Sequence, residues 1–138
     1  MSDHQNDTMP MRPALHCNPA VRRQYFSDMT ACLARCRDNM PPKPDADADI
    51  EVQHQYLIDL RVSLCTRRDI FAHMRETNKR VISECTNPTT IATLTKVDTN
   101  LSASEADVDH DISTIDMITS VLAVTRDNPT GGIAVFEI

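Results

Sequence analysis

The sequence predicts an all-α protein, an elongated helical hairpin or three- to four-helix bundle around one long central helix. Only two glycines occur among the 138 residues, at positions 131 and 132, whereas tight turns between strands need glycine for positive φ angles. Neither glycine nor proline interrupts residues 49–85. Apolar residues along that stretch recur with a heptad spacing, which is typical of a helix packed against other helices.

A first helix is predicted over about residues 19–39. Asn18 can accept hydrogen bonds from the unpaired N–H groups of the first turn, and Pro19 suits the first helical position. The proline pair at 41–42 then stops the helix, because proline forces the residue before it out of helical geometry. The apolar face of this helix has a 4-3-4 spacing and consists of Tyr25, Met29, Cys32 and Cys36.

The central helix is predicted over about residues 49–85, roughly 54 Å at 1.5 Å per residue. Asp49 and the other aspartates of the preceding linker can cap its N-terminus. Arg67 and Asn78 occupy two positions of its apolar seam, where a polar group costs stability and commonly fixes register or partner. The other seam residues are Leu57, Leu60, Leu64, Phe71, Met74, Val81 and Cys85.

Two further helices are predicted, a short one with weak periodicity over 89–100 and a longer one over 103–127. The Asn-Pro pair at 87–88 ends the central helix or starts the next one. Ser102 with Glu105 matches the capping box that begins a helix. The inward residues of the last helix are predicted to be Val108, Ile112, Ile115, Ile118 and Leu122.

These elements divide the chain into three segments. Residues 1–17 form an extended or disordered arm, residues 18–128 the helical domain, and residues 129–138 a hinge and an apolar tail. The tail sequence IAVFEI is β-prone. It either adds a strand to a partner's sheet or folds onto the protein's own helices.

The spacings also predict how the helices pair. In an antiparallel hairpin, facing residue numbers have a constant sum, which places one turn near 44–45 and another near 96–97. A slip of seven residues preserves both patterns, so loop length decides the register. The first hairpin pairs Tyr25 with Leu64, Met29 with Leu60, Cys32 with Leu57 and Cys36 with Gln53. The second pairs Phe71 with Leu122, Asn78 with Ile115, Val81 with Ile112 and Cys85 with Val108.

Cys32 and Cys36 lie one turn apart on the first helix, with Cβ atoms about 5–6 Å apart. A disulfide needs about 3.8 Å, so the pair cannot easily bridge. This C-x3-C spacing is similar to one half of the small helical-hairpin chaperones of the mitochondrial intermembrane space, which pair two such motifs across antiparallel helices. The resemblance covers one motif, since the central helix offers Cys65 alone. The other interpretation is two small apolar residues in a helix seam.

Composition argues against several classes of protein. Twenty acidic against fourteen basic residues give a net charge of −6, opposite to the basic surface that a general nucleic-acid binder needs. No run of about 18 apolar residues is present to span a bilayer, and the N-terminus lacks an apolar signal core. Five cysteines without a framework fit a reducing compartment, so an intracellular, cytoplasmic location is expected.

No sequence motif for catalysis, cofactor binding or metal binding is present, so we expect no enzyme activity and no cofactor. The stretch DADADIE resembles the start of an EF-hand calcium-binding loop. However, Ile50 and Tyr56 occupy the positions where that loop needs glycine and glutamate. Residues 67–80 carry five bases against two acids. They form a face for nucleic acid or an acidic partner, or they pair with residues 98–127, which carry seven acids against one base.

Together these features predict a non-catalytic helical subunit or adaptor of a multi-protein assembly that acts through helix–helix packing. Long helices with surplus apolar surface usually bind other chains, which includes a homo-oligomer. The alternatives are the helical-hairpin cysteine protein and a viral or secreted helical effector that binds a host protein. The candidate interaction residues are Ile58, Val62, Arg67, Ile70, Phe71, Met74, Asn78, Ile82, Phe136 and Ile138.

Overall fold

A computed structural model describes Met9, Pro10 and residues 19–127, and this part of the chain is all-α, as the sequence predicts. Its helices are α1 (Pro19–Asp38), α2 (Ile50–Glu84) and α3 (Pro88–Asp127), and no strand occurs among the described residues. The tail at 129–138, with Phe136 and Ile138, lies outside them, as does the arm at 1–17 except for Met9 and Pro10. None of the three helices carries an apolar stretch long enough to cross a bilayer.

Two hydrophobic clusters hold the helices together, and α2 contributes to both. The larger cluster lies between α2 and α3, and the smaller one between α1 and α2. Each fully buried Leu, Ile or Met side chain stabilises the fold by about 1.5–3 kcal/mol. The α2–α3 cluster consists of Leu57, Leu60, Leu64, Val108, Ile112, Ile115, Ile118 and Leu122. The α1–α2 cluster consists of Tyr25, Met29, Cys32, Ile70 and Met74.

The predicted register between α1 and α2 is wrong. Thr77 Oγ1 donates to Tyr25 Oη at 3.2 Å, and Ser63 Oγ donates to the carbonyl oxygen of Cys36 at 3.5 Å. These contacts lie about three helical turns further along α2 than the predicted pairing. The cause is the linker at residues 39–49, which is a long irregular segment rather than a tight turn, so α1 packs against the middle of α2.

The linker is attached to the start of α2 by Gln53. Its side-chain Nε2 donates to the carbonyl oxygens of Ala46 and Ala48, at 3.3 and 2.7 Å. Asp49 is the N-cap residue, but its carboxylate makes no capping hydrogen bond. The capping function that the sequence assigned to the aspartates is therefore absent at Asp49, and a glutamine one turn into the helix holds the linker.

The predicted division near 101–103 is also wrong, because α3 is one helix of 40 residues. Ser102 and Glu105 do not form a helix N-terminus. In the threonine-rich start of α3, the hydroxyls donate to carbonyl oxygens one turn earlier, an arrangement that a helix accommodates although it is slightly destabilising. Thr95 Oγ1, for example, donates to Ile91 O at 2.7 Å, and Thr99 Oγ1 donates to Thr95 O at 3.1 Å.

The chain reverses between α2 and α3 at residues 85–87, not near 96–97. Asn87 caps the N-terminus of α3, because its Oδ1 accepts from the backbone N–H groups of Thr89 at 2.9 Å and Thr90 at 3.3 Å. This tight reversal sets a register different from the predicted one. Asn78, for instance, lies beside Leu94 rather than Ile115.

Candidate protein-binding surface

Ion pairs connect the basic side of α2 to the acidic side of α3. Arg68 Nη1 lies 3.4 Å from Asp109 Oδ1, and Arg75 Nη1 lies 2.7 Å from Glu105 Oε2. Arg75 Nε is also 3.6 Å from Asp98 Oδ1, beyond hydrogen-bond distance. The intramolecular interpretation of the basic segment is confirmed for Arg68 and Arg75.

A further ion pair lies nearer the start of α2. Arg61 Nε donates to Asp116 Oδ1 at 2.7 Å, and Nη2 donates to Oδ2 at 3.3 Å. This hydrogen bonding lowers the pKa of the Asp116 carboxyl and raises the pKa of the Arg61 guanidinium. Because both side chains are about half exposed, the pair contributes little to stability and mainly marks the register of α2 against α3.

The two polar seam residues have different environments. Asn78 has no exposed surface, and its Nδ2 donates to Leu94 O at 2.7 Å. Its Oδ1 is buried without a hydrogen-bond partner. Arg67 is half-buried, and its Nε likewise lies buried without an acceptor. Asn78 thus belongs to the interior, whereas Arg67 lines a cavity at the surface.

Several predicted interaction residues pack against the protein's own helices. Ile70, a predicted interaction residue, is 0% exposed because α1 covers it. Met74 is buried in the same cluster, and Phe71 packs against the α2–α3 cluster. Ile82 is half-buried. This surface of α2 is therefore occupied mainly by the protein's own helices.

Of the predicted interaction residues that the structure describes, Ile58 and Val62 remain exposed, by 42% and 62%. They lie one turn apart on the same face of α2 and belong to neither cluster. Val62 also borders a groove of about 560 Å³ between α1 and α2. The remaining residues that line this groove are Cys32, Arg35, Cys36, Asn39, Pro41, Asp59, Ser63 and Thr66. We refer to Ile58, Val62 and the groove as the Val62 surface.

The cysteines are divided between the two sides of α2. Cys36 packs against the α1–α2 cluster, and Cys65 packs against the α2–α3 cluster. No disulfide joins the four cysteines of the described part, which are Cys32, Cys36, Cys65 and Cys85. Cys65 is therefore not placed to complete a double motif with Cys32 and Cys36.

A second cavity, of about 280 Å³, lies between α2 and α3, and we call it the α2–α3 trough. Its floor is formed by residues of the larger cluster, and Met40 and Lys43 of the linker border it. Sequence reasoning missed this cavity because the wrong register placed α1 over it. The remaining residues that line it are Tyr56, Leu57, Leu60, Leu64, Arg67, Asp111, Thr114, Ile115 and Ile118.

Sequence reasoning also missed further exposed apolar side chains, among them Val52, Met117 and Val124. Val52 is exposed by 51%, Met117 by 61% and Val124 by 63%. Val52 stands outside the heptad seam of α2, and Met117 and Val124 stand outside the inward series of α3, which is the signal that could have identified them. Neither Met117 nor Val124 borders either of the two cavities above, which makes them suitable controls for Val62.

Among the described residues, no group of three or more His, Cys, Asp or Glu side chains is placed to hold a metal ion. Comparisons of the chain with family models, with curated proteins and with solved structures found no match.

Proposed function

We propose that this chain is a non-catalytic helical subunit or adaptor that binds a protein partner through the Val62 surface. The observation that carries the proposal is the exposure of Ile58 and Val62 beside a groove that the chain's own helices leave open. An apolar pair at helical spacing next to a groove suits a partner helix that inserts apolar side chains of its own.

The composition of the groove supports a protein ligand. Cys36, Pro41 and Val62 give it an apolar part, and Arg35 and Asp59 place charges of both signs at its border. Protein interfaces commonly combine an apolar centre with a polar rim. The proposal includes an elongated bundle with α2 at its centre, since α2 contacts both other helices, and an intracellular location, since the cysteine content fits a reducing compartment.

The experiment is affinity purification from the cells that produce the protein, with Val62→Asp compared against wild type. Burying a valine stabilises an interface by about 1.5–3 kcal/mol, and each 1.4 kcal/mol is tenfold in affinity. We therefore expect recovery of the partner to fall at least about tenfold. Ile58→Asp should weaken recovery in the same way.

Met117→Asp is the matched control, because Met117 is as exposed as Val62 but lies on α3. It should recover the same partner at the wild-type level. Circular dichroism of all three variants checks that the helices are intact. Equal recovery by wild type and Val62→Asp would remove the Val62 surface from the proposal.

The described contacts do not favour the other candidate functions. Cys65 is not positioned for the double cysteine motif, and Arg68 and Arg75 of the basic segment already pair with α3. No described contact distinguishes a secreted or viral effector. We therefore propose the subunit or adaptor function alone.

A further inference from the structure

We propose that a groove at one end of the bundle binds a medium-chain fatty acid. The groove has a volume of about 330 Å³, and we call it the Arg23 groove. It is lined by Arg22, Arg23 and Phe26 of α1, by Val81 and Cys85 of α2, and by Thr90 and Leu94 of α3. It shares no lining residue with the Val62 surface, so this site goes beyond the proposed function and does not depend on it.

The groove exists because the apolar seam of α2 continues beyond the residues that cover it. Val81 and Cys85 lie on the heptad spacing of this seam, but the last α2 residue in either hydrophobic cluster is Met74. The start of α3 beside them is rich in threonine and offers few large apolar side chains. Phe26, Val81, Cys85 and Leu94 therefore remain only half-buried, and an alkyl chain that covers them is favoured by the hydrophobic effect.

The size of the groove suits a single alkyl chain. A water molecule takes about 30 Å³ of the liquid, and a methylene group has a similar size, so the groove holds roughly eleven such groups. Decanoate matches this size. An interface with another protein usually involves about 20–30 residues on each side, far more than the seven that line this groove. The size therefore favours a small amphiphile over a protein segment.

Arg23 supplies the positive charge for the carboxylate. Its side chain is exposed and makes no ion pair with another described residue. Arg22 has another interaction within the chain, so the inference depends on Arg23. Among the described residues that line the groove, none is acidic, although the chain as a whole has a net charge of −6. A guanidinium binds a carboxylate through two parallel hydrogen bonds, which places the head group at the α1 border.

The ends of the helices favour the same charge. The groove lies beside the N-termini of α1 and α3 and beside the C-terminus of α2. A helix N-terminus carries a partial positive charge and a C-terminus a partial negative one, so two positive ends meet one negative end here. The groove should therefore prefer an anionic amphiphile to a cationic one with the same chain.

NMR titration of the full chain with sodium decanoate tests this assignment. We expect saturable shifts of the methyl resonances of Val81 and Leu94. Octanoate, which lacks two methylene groups, should bind about fifteenfold more weakly. Decyltrimethylammonium has the same chain length as decanoate but a positive head group, and it should bind about fivefold more weakly.

Arg23→Glu separates the effect of the charge from that of the apolar lining, and the exposure of Arg23 allows the substitution without disturbing the core. It should weaken the binding of decanoate about fivefold and strengthen that of decyltrimethylammonium. Arg37→Glu is the matched control, because Arg37 is also exposed on α1 but borders neither this groove nor the other two cavities. It should bind decanoate like wild type, as should Val62→Asp.

Four results would overturn the proposal. The first is an absence of decanoate shifts at Val81 and Leu94, or shifts centred on another cavity. The second is equal affinity for decanoate and decyltrimethylammonium, which would remove the role of Arg23. The third is binding to vesicles of anionic phospholipid without binding to monomeric decanoate, which would assign the groove to a membrane surface. The fourth is loss of a protein partner from Arg23→Glu without any response of the wild type to decanoate, which would assign it to a protein.

Discussion

Asn78 is a polar residue buried in the interior of the described part of the chain, where a charged side chain would be costly. It has no exposed surface, and its Nδ2 is an essential donor because the group that it faces, Leu94 O, can only accept. The heptad pattern identified Asn78 as a polar interruption of the seam. Its partner could not be predicted, because the partner depends on the register of α3.

We predict that Asn78→Asp destabilises the fold by about 3–5 kcal/mol at pH 7, because it buries a charge opposite a carbonyl oxygen. Burial raises the folded-state pKa of the new carboxyl above its unfolded value of about 3.9. The folded state then binds the proton more tightly, so the loss of stability grows as pH rises above about 4 and shrinks below it. Urea unfolding at pH 7 and pH 4 measures both values.

Asn100→Asp is the control for this substitution, because Asn100 is exposed on α3. It should change the free energy of unfolding by less than about 0.5 kcal/mol at either pH. If Asn78→Asp were equally mild at pH 7, the buried position of Asn78 would be wrong.

The ion pair of Arg61 with Asp116 leads to a prediction for pH titration. NMR titration of the carboxyl carbons should find the pKa of Asp116 below the ordinary value of about 3.9, because Arg61 hydrogen-bonds to the charged form. A lowered pKa means that the pair's small contribution is present above pH 4 and is lost as pH falls through the folded-state value. Arg61→Gln should return the pKa to its ordinary range. An unchanged pKa would contradict the pairing.

Among the helices, α3 differs most from its prediction. Ser102 and Glu105 fit a capping box in sequence, but Glu105 accepts from Arg75 across the helix interface. The same residue types therefore serve a tertiary contact that local sequence cannot reveal. The Asn-Pro pair at 87–88 was recognisable as a helix boundary because the hydrogen bonds that begin a helix there involve only neighbouring residues. Whether the helix continues through 101–103 depends instead on its packing against α2.

Ala103→Pro distinguishes one continuous helix from two. If Ser102 were an N-cap, position 103 would be the first helical residue, where proline is tolerated. In a continuous helix, proline removes a hydrogen bond and clashes with the preceding turn, at a cost of about 3 kcal/mol or more. We predict the large loss in urea unfolding.

Ala103→Gly should cost only about 1 kcal/mol at the same position. The ratio of the two losses therefore separates the effect of proline from that of simple truncation. Equal stability of Ala103→Pro and wild type would contradict the continuous α3.

Across the molecule, composition and periodicity predicted the helical class but not the arrangement. Loop geometry decides how helices pair, and the long linker at 39–49 and the short reversal at 85–87 shift both pairings by several turns. The consequence for function is large. The shift covers Ile70 with α1, leaves Ile58 and Val62 exposed, and opens the α2–α3 trough, which no sequence pattern indicated.

The central claim is that a protein partner binds at the Val62 surface. It is tested most directly by placing a photo-crosslinking amino acid at position 62, or at position 117 as control, in the cells that produce the protein. We predict that position 62 crosslinks one dominant protein, that position 117 does not, and that Ile58→Asp removes the crosslink at 62. The same set of proteins at both positions, unaffected by Ile58→Asp, would contradict the claim.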